Sequence, residues 1–538
     1  MQSYKVTPTM EEVYLVMLLA LIGLAITDLV VGVSNDAVNF LNSAIGSKAF
    51  SMRNILIVAS LGVAVGAIFS SGIMEVARKG IFIPGQFHFE EIMVIFMAVM
   101  ITDVLLLDFF NSLGLPTSTT VSIVFELLGA AVSIALIKIY KEAGDYTTLL
   151  DYINTDKALQ IILAIFLAVV LAFILGALIQ FLSRLIFSFQ YQKKIKFLGA
   201  IFGGVSFTAI FYFILLKGLS SVALIPAEAI DFILENGFLI IISCLIIFSL
   251  LSQLLMSLKI DILKVIVIVG TFALALAFAG NDLVNFIGVP IAAWQSFELW
   301  QEAYNANGIL PSDFSMVGLA GEVPTPKFLL VISGGVMVVT LWFSKKARAV
   351  IDTGVNLSRQ ADGAERFEPN VISRGLVRYF LMFGNIVTYI TPRPVQKFVT
   401  RKFMQKRIRK HGRELDAPAF DLVRASVNLV VASVLISIGT NYKLPLSTTY
   451  VTFMVAMGTS LADRAWGRES AVYRVAGVLN VVGGWFVTAI VAFSVAAIFA
   501  AIIYFGGITA IAVLIGVAIF NITRTTVIHS RKLKEAEK

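Results

Sequence analysis

The chain has 538 residues, of which 58% are hydrophobic and only 14% charged, with a mean hydropathy of +0.90 and a net charge of +8. Soluble domains are about 45–50% apolar and about 25% charged, so this composition excludes a soluble globular enzyme, a disordered chain and a fibrous protein, and fits a polytopic α-helical membrane protein. Continuous apolar runs exclude a β-barrel, and the single cysteine, Cys244, excludes an intrachain disulfide or a cysteine metal cluster. The three histidines, His88, His411 and His529, lie outside or at the edges of the apolar runs.

The opening residues carry no basic leader and no suitably placed cleavage site, so the first apolar run is read as a mature helix. About 20 apolar residues cross the hydrocarbon core. In chain order the candidates are 11–33, 35–46, 54–76, 91–112, 116–140, 158–189, 197–218, 237–257, 262–280, 281–297, 325–343, 421–442, 445–461, 473–503 and 505–523. Several are short and abut one another, which predicts halves of broken helices. The expected fold is an all-α membrane protein with about nine full spans plus two helical hairpins, 91–140 and 421–461, each either re-entrant or a pair of spans.

Positive charge is concentrated in one place. Lys345 to Arg413 holds sixteen Lys/Arg against four acids, and the YQKKIK run at 191–196 and the tail after 523 are also basic. Lys/Arg excess marks the cytoplasmic side. The acidic or neutral stretches 141–157, 218–236 and 298–326 are therefore placed outside. With 11–46 and 262–297 each taken as one broken span, the parity closes with the N-terminus outside and the C-terminus and the 344–420 loop cytoplasmic.

Two motifs each occur twice. Ser34-Asn35-Asp36-Ala37-Val38-Asn39-Phe40 recurs as Gly280-Asn281-Asp282-Leu283-Val284-Asn285-Phe286, 246 residues later. Leu115-Pro116-Thr117-Ser118-Thr119-Thr120 recurs as Leu444-Pro445-Leu446-Ser447-Thr448-Thr449, 329 residues later. The same order inside apolar runs points to duplication. By the parity above the two copies have opposite orientation, the architecture of secondary transporters with a site near the midplane at discontinuous helices.

The residue types suit that site. An aspartate in an apolar span costs about 3 kcal/mol on insertion scales, so it needs a partner or a purpose. Asp36 and Asp282 are expected where helices break, with Asn39 and Asn285 beside them, as sites for Na⁺ or for a proton. The Leu-Pro-x-Ser-Thr-Thr segments read as half-helix starts, whose N–H groups and hydroxyls seat an oxyanion. Neither motif contains Lys or Arg, so a co-bound cation would offset the anion's charge.

These paired motifs, the inverted repeat and the basic inner loop resemble the PiT-type inorganic phosphate transporter family, most closely at Gly280–Pro290. The resemblance spans nearly the whole chain. It implies uptake of inorganic phosphate by symport with Na⁺ or H⁺, commonly by a homodimer, in the plasma membrane (the inner membrane of a bacterium). No cofactor is expected, and the lack of a Ser-His-Asp set, a His-rich metal motif or a phosphate-cradling Gly-Lys loop argues against a membrane enzyme. Carried over by motif, Asp36, Asn39, Asp282 and Asn285 would hold the coupling ions, with Na⁺ at Asp36 and Asp282 if sodium is used. Asn35, Asn281, Ser118, Thr119, Thr120, Ser447, Thr448 and Thr449 would face phosphate. The chain departs from the family in Val121 and Tyr450, where many members carry His, and in Val63 and Val423 or Arg424, where sodium-coupled animal members carry Glu. Another oxyanion such as sulfate on the same fold, or a passive anion channel, are the alternatives.

Asp28, Asp103, Asp108 and Asn111 read either as a second ion path or as structural polar groups, and Glu126 as structural. The 371–411 stretch mixes aromatic, aliphatic and basic residues and reads as topology signal or as interfacial helix against the lipid bilayer, rather than as a nucleic-acid site. The expected organisation is a first transport repeat at 1–190, connecting helices at 191–261, the second repeat at 262–343 and 421–523 interrupted by the basic loop 344–420, and a basic tail at 524–538.

Overall fold

A computed structural model describes residues 10–68, 70, 76–142, 145–217, 232, 235–321, 326–360, 368, 370–404, 418–464 and 470–536. Most of the 218–236 loop, and His411 with the basic run around it, lie outside the described residues. The described helices are α1 (Met10–Gly46), α2 (Met52–Ile68), α3 (Phe89–Leu113), α4 (Thr119–Lys141), α5 (Thr155–Phe187), α6 (Gln192–Ile210), α7 (Gly237–Ser257) and α8 (Ile262–Asn307). They continue as α9 (Lys327–Phe343), α10 (Lys346–Ser358), α11 (Val371–Ile390), α12 (Arg393–Lys402), α13 (Leu422–Asn441), α14 (Thr448–Ala462) and α15 (Ser470–Ala536). Among the described residues nine helices are long and apolar enough to cross a membrane, and α9 and α10 form a pair bent by 72°. Leucines and phenylalanines line the outward faces of α5 and α7, as a lipid-facing surface requires.

Several boundaries differ from the sequence reading. Segments 11–33 and 35–46 are one continuous helix, α1, and 262–280 and 281–297 are one helix, α8, which runs on to Asn307 and takes in the start of the 298–326 stretch. The expected breaks at Asp36 and Asp282 are absent because their partners come from other elements, so neither helix needs to unwind. At about 1.5 Å per residue, the 37 residues of α1 reach well beyond a hydrocarbon core about 30 Å thick. Segments 473–503 and 505–523 belong to α15, with a turn at Gly507 (φ 57°, ψ −144°), and the helix takes in most of the basic tail. Residues 192–196 open α6 rather than forming a loop.

The packing repeats with the motifs. Helix α1 lies on α3 as α8 lies on α13, and each hairpin's second arm leans on the other half of the chain, α4 on α15 and α14 on α5. Glycine permits these contacts. A Cβ on Gly129 would sit 2.1 Å from the Phe493 carbonyl, and one on Gly458 would sit 2.2 Å from the Phe173 carbonyl. Gly129 and Gly458 are themselves 329 residues apart, the spacing of the second motif. Small residues of this kind let membrane helices approach backbone to backbone.

One buried ion network ties three helix ends together. Arg184 of α5 donates to both oxygens of Asp421, at 2.7 and 2.8 Å, and to both oxygens of Asp463, at 2.7 Å each. Asp421 also caps α13 by accepting from the Arg424 amide, and Gln180 donates to Asp463. Bidentate pairing offsets the cost of burying these charges.

Gly129→Val and Gly458→Val should each destabilise the protein by more than about 1 kcal/mol through overpacking. Gly335→Val, where a Cβ meets nothing within 4 Å, should leave the melting temperature unchanged. Thermal melts followed by size exclusion check this, and equal stability of all three would contradict the swapped packing.

Candidate ion and anion site

Each hairpin tip is built the same way. Residues 115–118 and 444–447 are non-helical, and Ser118 and Ser447 cap the helices that follow. The Ser118 hydroxyl accepts from the Val121 amide at 3.1 Å and Ser447 from the Tyr450 amide at 3.2 Å. Gly114 (φ 62°) and its repeat counterpart Lys443 (φ 54°) turn the chain through the left-handed region. The prolines precede the caps by two residues rather than opening the helices, so Thr119 and Thr448 are the first helical residues. Both tips are buried.

The tips close on the middles of α1 and α8. Asp36 accepts from Thr119 at 3.0 Å and from Thr449 at 3.2 Å, one hydroxyl from each hairpin. Asp282 accepts from Thr448 and, at 3.4 Å, from Thr120. It also accepts from Asn281 at 2.8 Å and Asn285 at 3.2 Å. Asn39 donates to Thr448 and Thr449 at 3.2 and 3.0 Å, while Asn285 donates to Thr119 and Thr120 at 3.2 and 3.0 Å. Exchanging the two halves of the chain maps the threonine contacts onto one another, whereas the asparagine bonds to Asp282 have no counterpart at Asp36. Both carboxylates are fully buried and each lies within the other's field. Among the described residues their hydrogen-bond partners are hydroxyls and amides, with no lysine or arginine.

The asparagines ahead of the aspartates hold the tips. Asn35 donates to the Asn111 side-chain oxygen at 2.9 Å and to the Leu115 carbonyl at 3.1 Å, and accepts from the Thr117 amide at 2.9 Å. Asn281 donates to the Leu446 carbonyl at 2.7 Å and accepts from Thr440 at 3.5 Å. Asn111 and Thr440 are again 329 residues apart, a signal that could have placed Thr440 in the site. Thr452, which donates to Asn39 at 3.4 Å, has no mark in the motifs.

The other acids separate into two groups. Asp28, Asp103 and Glu126 are fully buried, and they interact with one another. Ser122 donates to Glu126 at 2.6 Å. Among the described residues both oxygens of Asp28 and of Asp103 and the second oxygen of Glu126 have no donor. Asp108 stands apart, paired with Lys346 at 2.5 Å and accepting from Thr525 at 2.6 Å. Among the described residues no three His, Cys, Asp or Glu side chains are grouped to hold a metal ion. The central oxygens are instead two carboxylates with amides and hydroxyls, a hard donor set suited to Na⁺ or a proton.

Buried ionisable groups at the meeting of two inverted hairpins define a membrane transporter. The sequence pattern of the phosphate transporter family matches residues 32–354. The chain belongs to that family and is a transporter rather than an enzyme. Proteins assigned as phosphate permeases in Pyrococcus horikoshii and Pyrococcus furiosus are each 26% identical to it, over 320 and 316 residues. These matches cover 56% of this chain in both cases, and 68% and 67% of those proteins. A Mycobacterium bovis protein with the same assignment is 29% identical over 106 residues, 19% of each chain. The solved structure described as the sodium-dependent phosphate transporter shares the fold, with a TM-score of 0.60 over 91% of this chain and 99% of that one at 16% identity.

Asn111→Ala removes the acceptor of the buried Asn35 amide and should cost about 1–3 kcal/mol. Thr440→Ala, on the longer 3.5 Å contact, should cost less. Melting temperatures of the two variants test the order, and a larger loss for Thr440→Ala would contradict it.

Proposed function

We propose that the protein imports inorganic phosphate by symport with a cation, Na⁺ in the first instance, by alternating access around the hairpin tips. The observation that carries this reading is the pair of buried carboxylates, one from each repeat, held by threonine hydroxyls from both hairpins without a basic side chain. Two such charges destabilise the protein unless cations or protons join them. A phosphate on the same threonines needs them equally.

The hydrogen bonds suggest how cation and anion depend on each other. A threonine hydroxyl has one proton to donate. While Thr119, Thr120, Thr448 and Thr449 donate to Asp36 and Asp282, those protons are not offered to an anion. A cation at a carboxylate takes over its lone pairs and releases the hydroxyls, which then donate to phosphate oxygens. Asn35, Asn281, Ser118 and Ser447 hold the tips in register for that exchange, and Asn39 and Asn285 orient the hydroxyls. Asp28, Asp103 and Glu126, which have no counterparts in the second repeat, form a further cation or proton path beside Asp36. The basic stretches face the cytoplasm on this reading, with the N-terminus outside and α11 and α12 against the inner leaflet. The sodium dependence named for the solved transporter of the same fold supports Na⁺ over H⁺.

The test is ³²P-phosphate accumulation in proteoliposomes under an inward Na⁺ gradient, an inward H⁺ gradient or neither. Accumulation should require the Na⁺ gradient, and Asp36→Asn and Asp282→Asn should abolish it in folded protein. Thr120→Ala and Thr449→Ala should each raise the KM for phosphate about tenfold or more, the loss of one hydrogen bond to a charged group. Accumulation driven only by protons would replace the ion. Equilibration without accumulation, or full uptake by both aspartate variants, would overturn the reading.

A further inference from the structure

Among the described residues no lysine or arginine contacts the central carboxylates or hydroxyls, yet an anion leaving them must cross toward one face of the protein. Beside the site lies a cavity of about 420 Å³. A single water needs only about 10–15 Å³ of such space, so an oxyanion fits with water around it. The inner wall belongs to the site's own supports. It includes Asn111, whose oxygen holds Asn35, and Ser34, the residue before it. The outer wall is the bend between α9 and α10, with Ser344, Lys345 and Lys346.

The charges in this cavity favour an anion. Lys346 opens α10 and lines the cavity, and the Ser344 hydroxyl accepts from the Ala347 amide of that helix start at 3.3 Å. Lys346 Nζ donates to Asp108 at 2.5 Å and to Thr525 at 3.3 Å. Asp108 has a second donor in Thr525 at 2.6 Å, so it keeps a partner when the lysine leaves. Ser344 donates to Ser34 at 2.7 Å, which joins the outer wall to the inner one. Two lysines against one carboxylate leave the cavity net positive, next to a central site that carries two aspartates.

We propose that this cavity is a second oxyanion station, in which phosphate released from the central site is held by Lys346 before it leaves. Asp108 occupies the lysine until the anion arrives, and the anion then replaces it. Asp108 is on this account a positioning residue for the lysine rather than a cation ligand. The inference rests on the phosphate reading given above.

The full-length chain with its one cysteine removed (Cys244→Ser) and Thr340→Cys added places a thiol in the cavity wall, where Thr340 is 5% exposed. A water-soluble methanethiosulfonate should label it in proteoliposomes, and inorganic phosphate should slow that labelling. Lys346→Gln should raise the half-protecting phosphate concentration about tenfold or more, whereas Asp108→Asn, which frees the lysine, should lower it. A merely structural ion pair would predict the same direction for both. Failure of the thiol to label, absence of phosphate protection, or a half-protecting concentration unmoved by Lys346→Gln would each overturn the proposal. Phosphate accumulation measured in the same vesicles separates the two readings. Accumulation without protection removes the second station alone, and no accumulation removes the reading on which it rests.

Discussion

Two aspartates in the middle of apolar helices, without a basic neighbour among the described residues to neutralise them, constrain everything around them. Burying an unpaired carboxylate costs several kcal/mol, and a membrane interior offers no water to repay it. Here the partial repayment is a set of threonine hydroxyls, brought from both hairpin tips to both carboxylates. The tips must therefore reach the centre of the protein, and the helices that carry them must be clamped closely enough to hold the hydroxyls in place. Asn35 and Asn281 fasten the tips, and Gly129 and Gly458 allow the close helix contacts on either side. The hydroxyls offset only part of the burial cost of the two charges.

The two-fold correspondence gives this arrangement its mechanical sense. Asp36 takes hydroxyls from Thr119 in its own half and Thr449 in the other, and Asp282 does the same with Thr448 and Thr120. Movement of one hairpin alone would break contacts at both carboxylates at once. The second arms lean across the halves, α4 on α15 and α14 on α5, so a shift of one half carries a hairpin of the other. The correspondence fails at Asp28, Asp103 and Glu126, whose repeat counterparts are Leu274, Ala432 and Val455. It fails again at Asp108, where Ser437 takes the equivalent place.

Much of this was legible in the chain because duplication leaves a spacing that chemistry can interpret. The 246- and 329-residue offsets singled out Asp36, Asp282 and the two Leu-Pro segments, and the structure brings these four places together. Gly129 with Gly458, and Asn111 with Thr440, share the same 329 spacing, although single residues do not stand out as motifs do. The continuity of α1 and α8 was not legible. An aspartate in an apolar run announces that it needs partners, but not whether they come from its own unwound backbone or from a distant hairpin. The Lys346–Asp108 pair, 238 residues apart, and the Arg184 network joining Asp421 and Asp463 leave no local pattern at all. Only the fold brings them together.

If a cation at the aspartates releases hydroxyls for the anion, as proposed, each ligand must change the other's affinity by the same factor. The most direct measurement is the Kd of inorganic phosphate for the purified protein at constant ionic strength and pH, with Na⁺ replaced stepwise by choline. Phosphate affinity should weaken at least about tenfold as Na⁺ is withdrawn, with phosphate tightening Na⁺ binding to the same extent. Phosphate affinity that is independent of Na⁺, with no proton taken up in its place, would contradict it.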